Sequence, residues 1–192
     1  MDTDRTPVPS LVLPSRVETE RLVLRTWHDA DRAPFAALNA DPDVARYVGG
    51  PASAERSNAM VDRIRSHWER HGFGLYAVEL RDSGAFAGFV GIHHHPDLPE
   101  APEIGWRLAR ATWGQGLATE AAATVRDLAF DELGLPAIVS ATVAPNVASA
   151  RVMVKIGMRL VREEPGDPYP AVVYRLDATD RPPRWPRPGD GG

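Results

Sequence analysis

Trp113-Gly114-Gln115-Gly116-Leu117-Ala118-Thr119-Glu120-Ala121-Ala122-Ala123 is the stretch on which the reading of this chain turns. Two glycines one residue apart precede an alanine-rich run of high helix propensity. Such a loop opens a helix whose first backbone N–H groups have no partner within it. Those donors, together with the positive end of the helix dipole, make a seat for anions, phosphates above all. Glycine lets the backbone touch the ligand and adopt angles that other residues avoid.

Outward from that stretch, the pattern alternates strands and helices. Residues 21–27 alternate as a first strand. Residues 29–39 read as a helix with Asp29 or Asp31 as its cap and Pro34 in its first turn. Ser53 caps a longer helix to His71, which Gly72 and Gly74 end. Leu75–Leu80 and Phe86–His93 read as a strand pair turned by Asp82-Ser83-Gly84, and Glu103–Leu108 as a fourth strand. The alanine-rich helix runs over 116–133, with Ala121, Val125 and Leu128 on its apolar face. Ala137–Val143 is a fifth strand, 145–156 a helix closed by Gly157, and 158–162 and 172–176 the last two strands. The class is α/β, a mixed sheet with helices on both faces. The folded part is expected over 16–178. Residues 1–15 and the proline-rich 179–192 are expected to be loose tails.

The chain has 192 residues, enough for one domain with an ordinary core. A net charge of -4 and a pI near 5.9 argue against a general nucleic-acid binder. The absence of cysteine excludes disulfides, thiolate metal sites and cysteine nucleophiles. No apolar run suits a signal peptide or a membrane span, so a cytoplasmic protein without membrane contact is expected.

Two phosphate-binding patterns fit the glycine pair poorly. A P-loop needs Gly-Lys-Ser or Gly-Lys-Thr, which the chain lacks. A dinucleotide fingerprint wants Gly or Ala where Thr119 stands and an acid closing the next strand, which ends Ser140-Ala141-Thr142-Val143.

A third pattern fits. Glu18-Thr19-Glu20-Arg21-Leu22-Val23-Leu24-Arg25, Glu103-Ile104-Gly105-Trp106-Arg107-Leu108, the loop from Trp113 to Ala121, and Asn146 with Ser149 and Arg151-Val152-Met153-Val154-Lys155-Ile156-Gly157-Met158 occur in order on the expected elements. Together they resemble the GNAT superfamily of N-acetyltransferases, and within it the RimJ/RimL-like branch. The superfamily loop reads Gln or Arg, two variable residues, Gly, one variable residue, Gly or Ala. Gly116 and Ala118 match it, and Trp113 replaces its first residue.

The resemblance implies the GNAT fold, a central, mostly antiparallel sheet whose fourth and fifth strands splay apart. It implies acetyl-CoA as co-substrate, with its pantetheine arm lying along Trp106, Arg107 and Leu108. Trp113, Gly114, Gln115, Gly116, Leu117, Ala118 and Thr119 would hold the pyrophosphate, chiefly through backbone amides, and Asn146 would touch the same molecule. A primary amine would attack the thioester directly. Glu103 would be the base if burial raises its pKa, and a histidine is the alternative. Ser149 would protonate the leaving thiolate, although Asn146 also reads as an ordinary N-cap and Ser149 as an ordinary first-turn residue.

Trp27 and His28 at the end of the first strand, His93 in the run His93-His94-His95, and Glu163 and Glu164 in the acidic segment before Pro165 are candidate acceptor contacts. The same residues also read as packing or solvated surface. Consecutive histidines lack the usual ligand spacing, so no metal is expected. The acceptor is a protein N-terminus or a small amine, a homodimer is compatible with the family, and the rival function is a non-catalytic acyl-CoA sensor.

Overall fold

The computed structural model of the chain describes residues 12–186. One sheet of eight strands runs in the order β1-β2-β3-β4-β5-β6-β8-β7. The strands are β1 (Arg16–Glu18), β2 (Leu22–Arg25), β3 (Leu75–Leu80), β4 (Phe86–His93), β5 (Glu103–Leu108), β6 (Ala137–Val143), β7 (Arg159–Glu164) and β8 (Ala171–Asp177). Every neighbouring pair is antiparallel except β5 and β6, which run parallel and meet in a single register pair, Glu103 with Val139. The expected fourth and fifth strands are thus β5 and β6. The count moves by one because the three-residue β1 carries too short a pattern to be read from sequence.

The helices are α1 (Arg32–Ala40), α2 (Pro42–Ala45), α3 (Ala54–His71), α4 (Leu117–Asp131) and α5 (Val147–Lys155). Local chemistry sets their ends. The Ser53 hydroxyl accepts from the Arg56 amide at the start of α3, and Gly72 closes it in a left-handed turn at φ 72°. The Asp41 carboxylate accepts the Asp43 amide at 2.8 Å and starts α2, a helix of one turn that the sequence reading missed.

Helices cover both faces. Leu22, Leu24, Tyr76, Val78, Val90, Ile92, Ile104, Leu108 and Ile138 pack against α4 and against Met153 and Ile156 of the α5 segment. On the opposite face Leu75, Ala77 and Phe89 pack against Trp27, Phe35, Leu38, Val61 and Ile64, which belong to the α1 and α3 layer. The alanines Ala121, Ala122, Ala123 and Ala129 of α4 are fully buried, and their small side chains let the helix lie close to the sheet.

The outer side of α4 is covered too. Arg126 and Asp127, 2% and 1% exposed, are met by a segment beyond Ala178. The Arg126 guanidinium donates to the Pro183 carbonyl at 3.1 Å, and the Trp185 amide donates to the Asp127 carboxylate at 2.7 Å. The chain from Thr179 to Pro186 is therefore packed, contrary to the tail expected from its prolines, because buried charges on α4 need its backbone as partners. Leu13, 2% exposed, is buried ahead of β1 in the same way. The remainder of both expected tails, 1–11 and 187–192, lies outside the described residues.

Among the described residues no helix is long and apolar enough to cross a membrane.

Candidate active site

The glycine loop takes up the geometry its sequence implies. Gly114 and Gly116 sit at φ 74° and 80°, in the left-handed region that other residues avoid. Gly116 is the N-cap of α4 and has no side chain to satisfy the helix start. The amides of Gly114, Gln115, Gly116, Leu117, Ala118 and Thr119 have no hydrogen-bond partner among the described residues. Trp113 is half exposed, and its indole N–H is committed to the Leu108 carbonyl at 2.9 Å. Anion binding here falls to main-chain donors.

A buried carboxylate fixes the loop. Glu120, in the first turn of α4 and 1% exposed, accepts from the Thr19 hydroxyl at 2.6 Å, the Arg21 amide at 2.8 Å and the Arg21 guanidinium at 2.7 Å. Arg21 also donates to the Gln115 carbonyl at 2.8 Å. Two of the sequence segments that carry the resemblance, around Thr19 and around Gly116, are thus joined through one side chain.

The loop opens onto the seam between β5 and β6. The Val139 amide still reaches the Pro102 carbonyl at 3.1 Å, but pairing ends after Glu103. The Ala109 amide donates to the Ala87 carbonyl at 2.8 Å, so by alternation the odd residues of β5 bond to β4. The main-chain groups of Trp106 therefore face the seam as an unfinished sheet edge. The cleft that results has a volume of about 600 Å³. Its walls come from the end of β5 (Trp106, Arg107, Leu108), the glycine loop, α5 (Asn146, Ser149, Arg151, Lys155) and the α2 region (Asp43, Val44, Tyr47, Val48). Tyr47 of that wall meets Tyr169 edge to face, 6.3 Å between ring centroids.

Glu103 stands where the seam closes, opposite His93 on β4 and Val139 on β6. Its carboxylate lies 3.4 Å from His93 Nε2 and accepts the Ala141 amide at 3.4 Å, an amide of β6 that β5 no longer reaches. Burial raises the pKa of Glu103, with the nearby His95 and the Ala141 amide pulling the other way. Burial, reinforced by the other histidines His95, His67 and His94, pushes His93 down to about 4, so its ring is neutral at physiological pH. The run His93-His94-His95 packs against α3, where His67 is fixed between the Phe73 carbonyl at 2.8 Å and the His94 amide at 3.2 Å.

Across the cleft, Asn146 caps α5. Its carbonyl oxygen accepts the Ser149 amide at 3.3 Å and its amide group donates to the Thr142 hydroxyl at 2.9 Å. The Ser149 hydroxyl has no partner among the described residues and lines the cleft.

Several expected contacts lie elsewhere. Trp27 is 4% exposed, meets Phe35 edge to face at 4.9 Å and donates its indole N–H to the Leu75 carbonyl, so it is a core residue and not a rim residue. His28 is exposed, and its amide donates to Asp31 at the turn before α1. Glu163 and Glu164 lie exposed on the edge strand β7, away from the cleft walls. Gln115 turns its side chain back to the Ala111 carbonyl at 3.1 Å and contributes only backbone.

The sequence reading missed the α2 wall and the cations Arg151 and Lys155. A like-charged pair four residues apart on one helix face repels unless something neutralises it, and that spacing was legible. It also missed the side chain of Arg107. The guanidinium crosses to α1, donates to Asn39 at 2.6 Å and lies over the Phe89 ring at 5.6 Å. Burial holds it below the usual arginine range, and its Nε is buried without a partner.

Comparison with known proteins accords with this geometry. Residues 21–159 match the family described as Acetyltransferase (GNAT) domain. An uncharacterized N-acetyltransferase of Bacillus subtilis, YoaA, is 28% identical over 168 residues, covering 83% of this chain and 95% of that protein. The FsC-acetyl coenzyme A-N(2)-transacetylase of Aspergillus fumigatus is 41% identical over 158 residues, 74% of this chain and 64% of that protein. An acetyltransferase structure from Agrobacterium tumefaciens superposes with a TM-score of 0.75 at 34% identity, covering 85% of this chain and 94% of that one.

Proposed function

The chain belongs to the GNAT acetyltransferase family, an N-acetyltransferase that uses acetyl-CoA, and from that premise we propose that it acetylates a small primary amine by direct attack in a ternary complex. The observation that carries this reading is the unfinished edge of β5 leading from partnerless amides at α4 to a buried carboxylate at the closed end of the seam.

The residues present suit acetyl-CoA. Amides from Gly114 to Thr119 would hold the pyrophosphate. Arg151 and Lys155 face the same cleft and supply positive charge for its phosphates. The free main-chain groups of Trp106 offer the pantetheine amides a strand to pair with, as an added strand would. Trp106, Arg107 and Leu108 give this path, and Asn146 borders it.

Glu103 takes a proton from the incoming ammonium, directly or through one water, once burial has brought its pKa up toward working pH. The freed nitrogen lone pair forms the new C–N bond at the thioester carbonyl, the C–S bond breaks as the nitrogen releases its second proton to solvent, and the sulfur leaves as thiolate. Ser149 donates its unpartnered hydroxyl to that sulfur. His93, neutral and 3.4 Å from the carboxylate, keeps Glu103 oriented and adds no competing charge. A cleft wall carrying Tyr47, whose ring meets Tyr169, would leave less room for an extended peptide than for a small acceptor.

Thiol release from acetyl-CoA, measured over a panel of small amines and short peptides, tests this. Release with small amines, abolished in Glu103→Gln, is the expected result. Preference for peptide N-termini would move the acceptor to the RimJ/RimL-like class. Release with none, together with tight retention of acetyl-CoA, would make the cleft an acyl-CoA sensor.

A further inference from the structure

Among the described residues the partly buried Arg107 differs from the two buried arginines, Arg25 and Arg126. Arg25, 8% exposed, grips Asp31 at 2.7 and 2.8 Å. Arg126, 2% exposed, grips Asp127 at 2.6 and 2.9 Å. Arg107 has no carboxylate within ion-pairing distance among the described residues. Its one hydrogen bond is to the neutral amide of Asn39, one ring face is backed by Phe89, and Nε is buried and unpaired. A cation withdrawn from water without a counter-ion is unfavourable, and proteins pair such groups or reserve them for a ligand. The acid on the same cleft wall, Asp43, is already held by Arg46 and Arg110.

The position of Arg107 tells which ligand. Ile104 and Leu108 turn toward α4, so the alternation of β5 turns Glu103, Gly105 and Arg107 toward the α1 and α3 layer. Between the acid and the cation lies Gly105, where a Cβ would meet nothing closer than the His93 ring at 3.9 Å. A carboxylate and an unpaired guanidinium therefore flank an open floor, on the sheet face opposite to the glycine loop of α4. Charge complementarity fits a molecule that carries an amine at one end and an anion at the other.

We propose that Arg107 is a specificity-determining residue that receives the carboxylate of the acceptor, so that the preferred substrates are amino acids and not simple amines. The proposal rests on the acetyl-transfer reading above. Arg107 has Nη2 free of protein partners and not enclosed, a charged donor for one oxygen of a carboxylate, while Nε stays buried behind it.

The test compares KM for amino acids of increasing amine-to-carboxylate spacing (glycine, β-alanine, 4-aminobutyrate, 6-aminohexanoate) with that of the corresponding alkylamines and aminoalkylphosphonates. The expected result is that one spacing is preferred over its alkylamine by about ten- to a hundred-fold, the worth of a charge-assisted pair. Arg107→Gln removes that preference, bringing the KM for amino acids to within about two-fold of that for the matching alkylamines. Asn39→Asp is the second variant. It keeps the arginine and the fold but places a carboxylate on the guanidinium, and it too is expected to abolish the preference. Equal KM values for amino acids and alkylamines, a preference that survives both variants, or an effect confined to acetyl-CoA would overturn the proposal and leave acetyl transfer standing. Tighter use of the phosphonates would assign Arg107 to a phosphate-bearing acceptor and overturn the carboxylate. Absence of thiol release with every amine would instead count against the acetyl-transfer reading itself.

Discussion

Burial acts in opposite senses on Glu103 and His93, which face each other at 3.4 Å. His93 takes its proton near 6.5 when unfolded and near 4 when folded, so its contribution to stability is complete above pH 6.5 and lost as pH falls toward 4. Melts at pH 7 and pH 4.5 are expected to differ by about 2–3 kcal/mol from this group, and His93→Gln to flatten the difference. Glu103 has the other sign. Its folded pKa is raised, so the fold favours the protonated form and is weakened as pH rises past the unfolded value of 4.5. Glu103→Gln is therefore expected to be at least as stable as the parent at pH 8, by thermal melt, while kcat falls about 10²- to 10⁴-fold and the acid limb of the pH–rate profile disappears. Glu103 was legible as an acid opening a strand beside the seam. Trp27 was misread because an aromatic residue at a strand end looks alike in a core and at a rim. The side chain of Arg107 was invisible because the face of β5 it occupies depends on which helix packs on which side.

At the level of elements, α4 works because the segment Thr19–Arg21 ahead of β2 is tied to its first turn and to the glycine loop. Glu120→Gln is expected to lose the charge that Arg21 and Thr19 hold. The Arg21 side chain is 44% exposed, so the loss is mainly of hydrogen bonds, about 2–3 kcal/mol by denaturant unfolding, with weaker acetyl-CoA binding. Gly116→Ala isolates conformation from contact. A Cβ there would come no nearer than 3.7 Å to Arg21, so the expected cost is the left-handed backbone alone, about 1–2 kcal/mol. A rise in the acetyl-CoA KM much beyond that figure would come from a re-aimed amide. Replacing Arg151 and Lys155 together by alanine is expected to raise the acetyl-CoA KM and to lessen its dependence on salt, because the pair has no acidic partner among the described residues. The longer elements were readable because a helix of 18 residues such as α3 repeats its pattern several times. The four residues of α2 and the three of β1 complete no period of their own, and they exist because neighbours hold them.

The whole molecule is two blocks of sheet, β1 to β5 and β6-β8-β7, with parallel pairing at one point between them. The segment to Pro186 braces α4 from outside through Arg126, Asp127 and the ion pairs of Asp131 with Arg181 and Arg184. Ending the chain after Asp180 is expected to strand those buried charges and lower the Tm by roughly 5–10 °C. The succession of the longer strands and helices along the chain could be read from sequence, but this brace could not, since proline-rich sequence gives no sign that its carbonyls serve a buried arginine. The single point of pairing also has a mechanical result. With so little mortar between them the blocks can breathe about Glu103, and amides of β6 should exchange with deuterium faster than those of β4. A donor molecule wedged into the gap would act as the missing course of bricks, slowing that exchange and raising the melting point with the logarithm of its concentration.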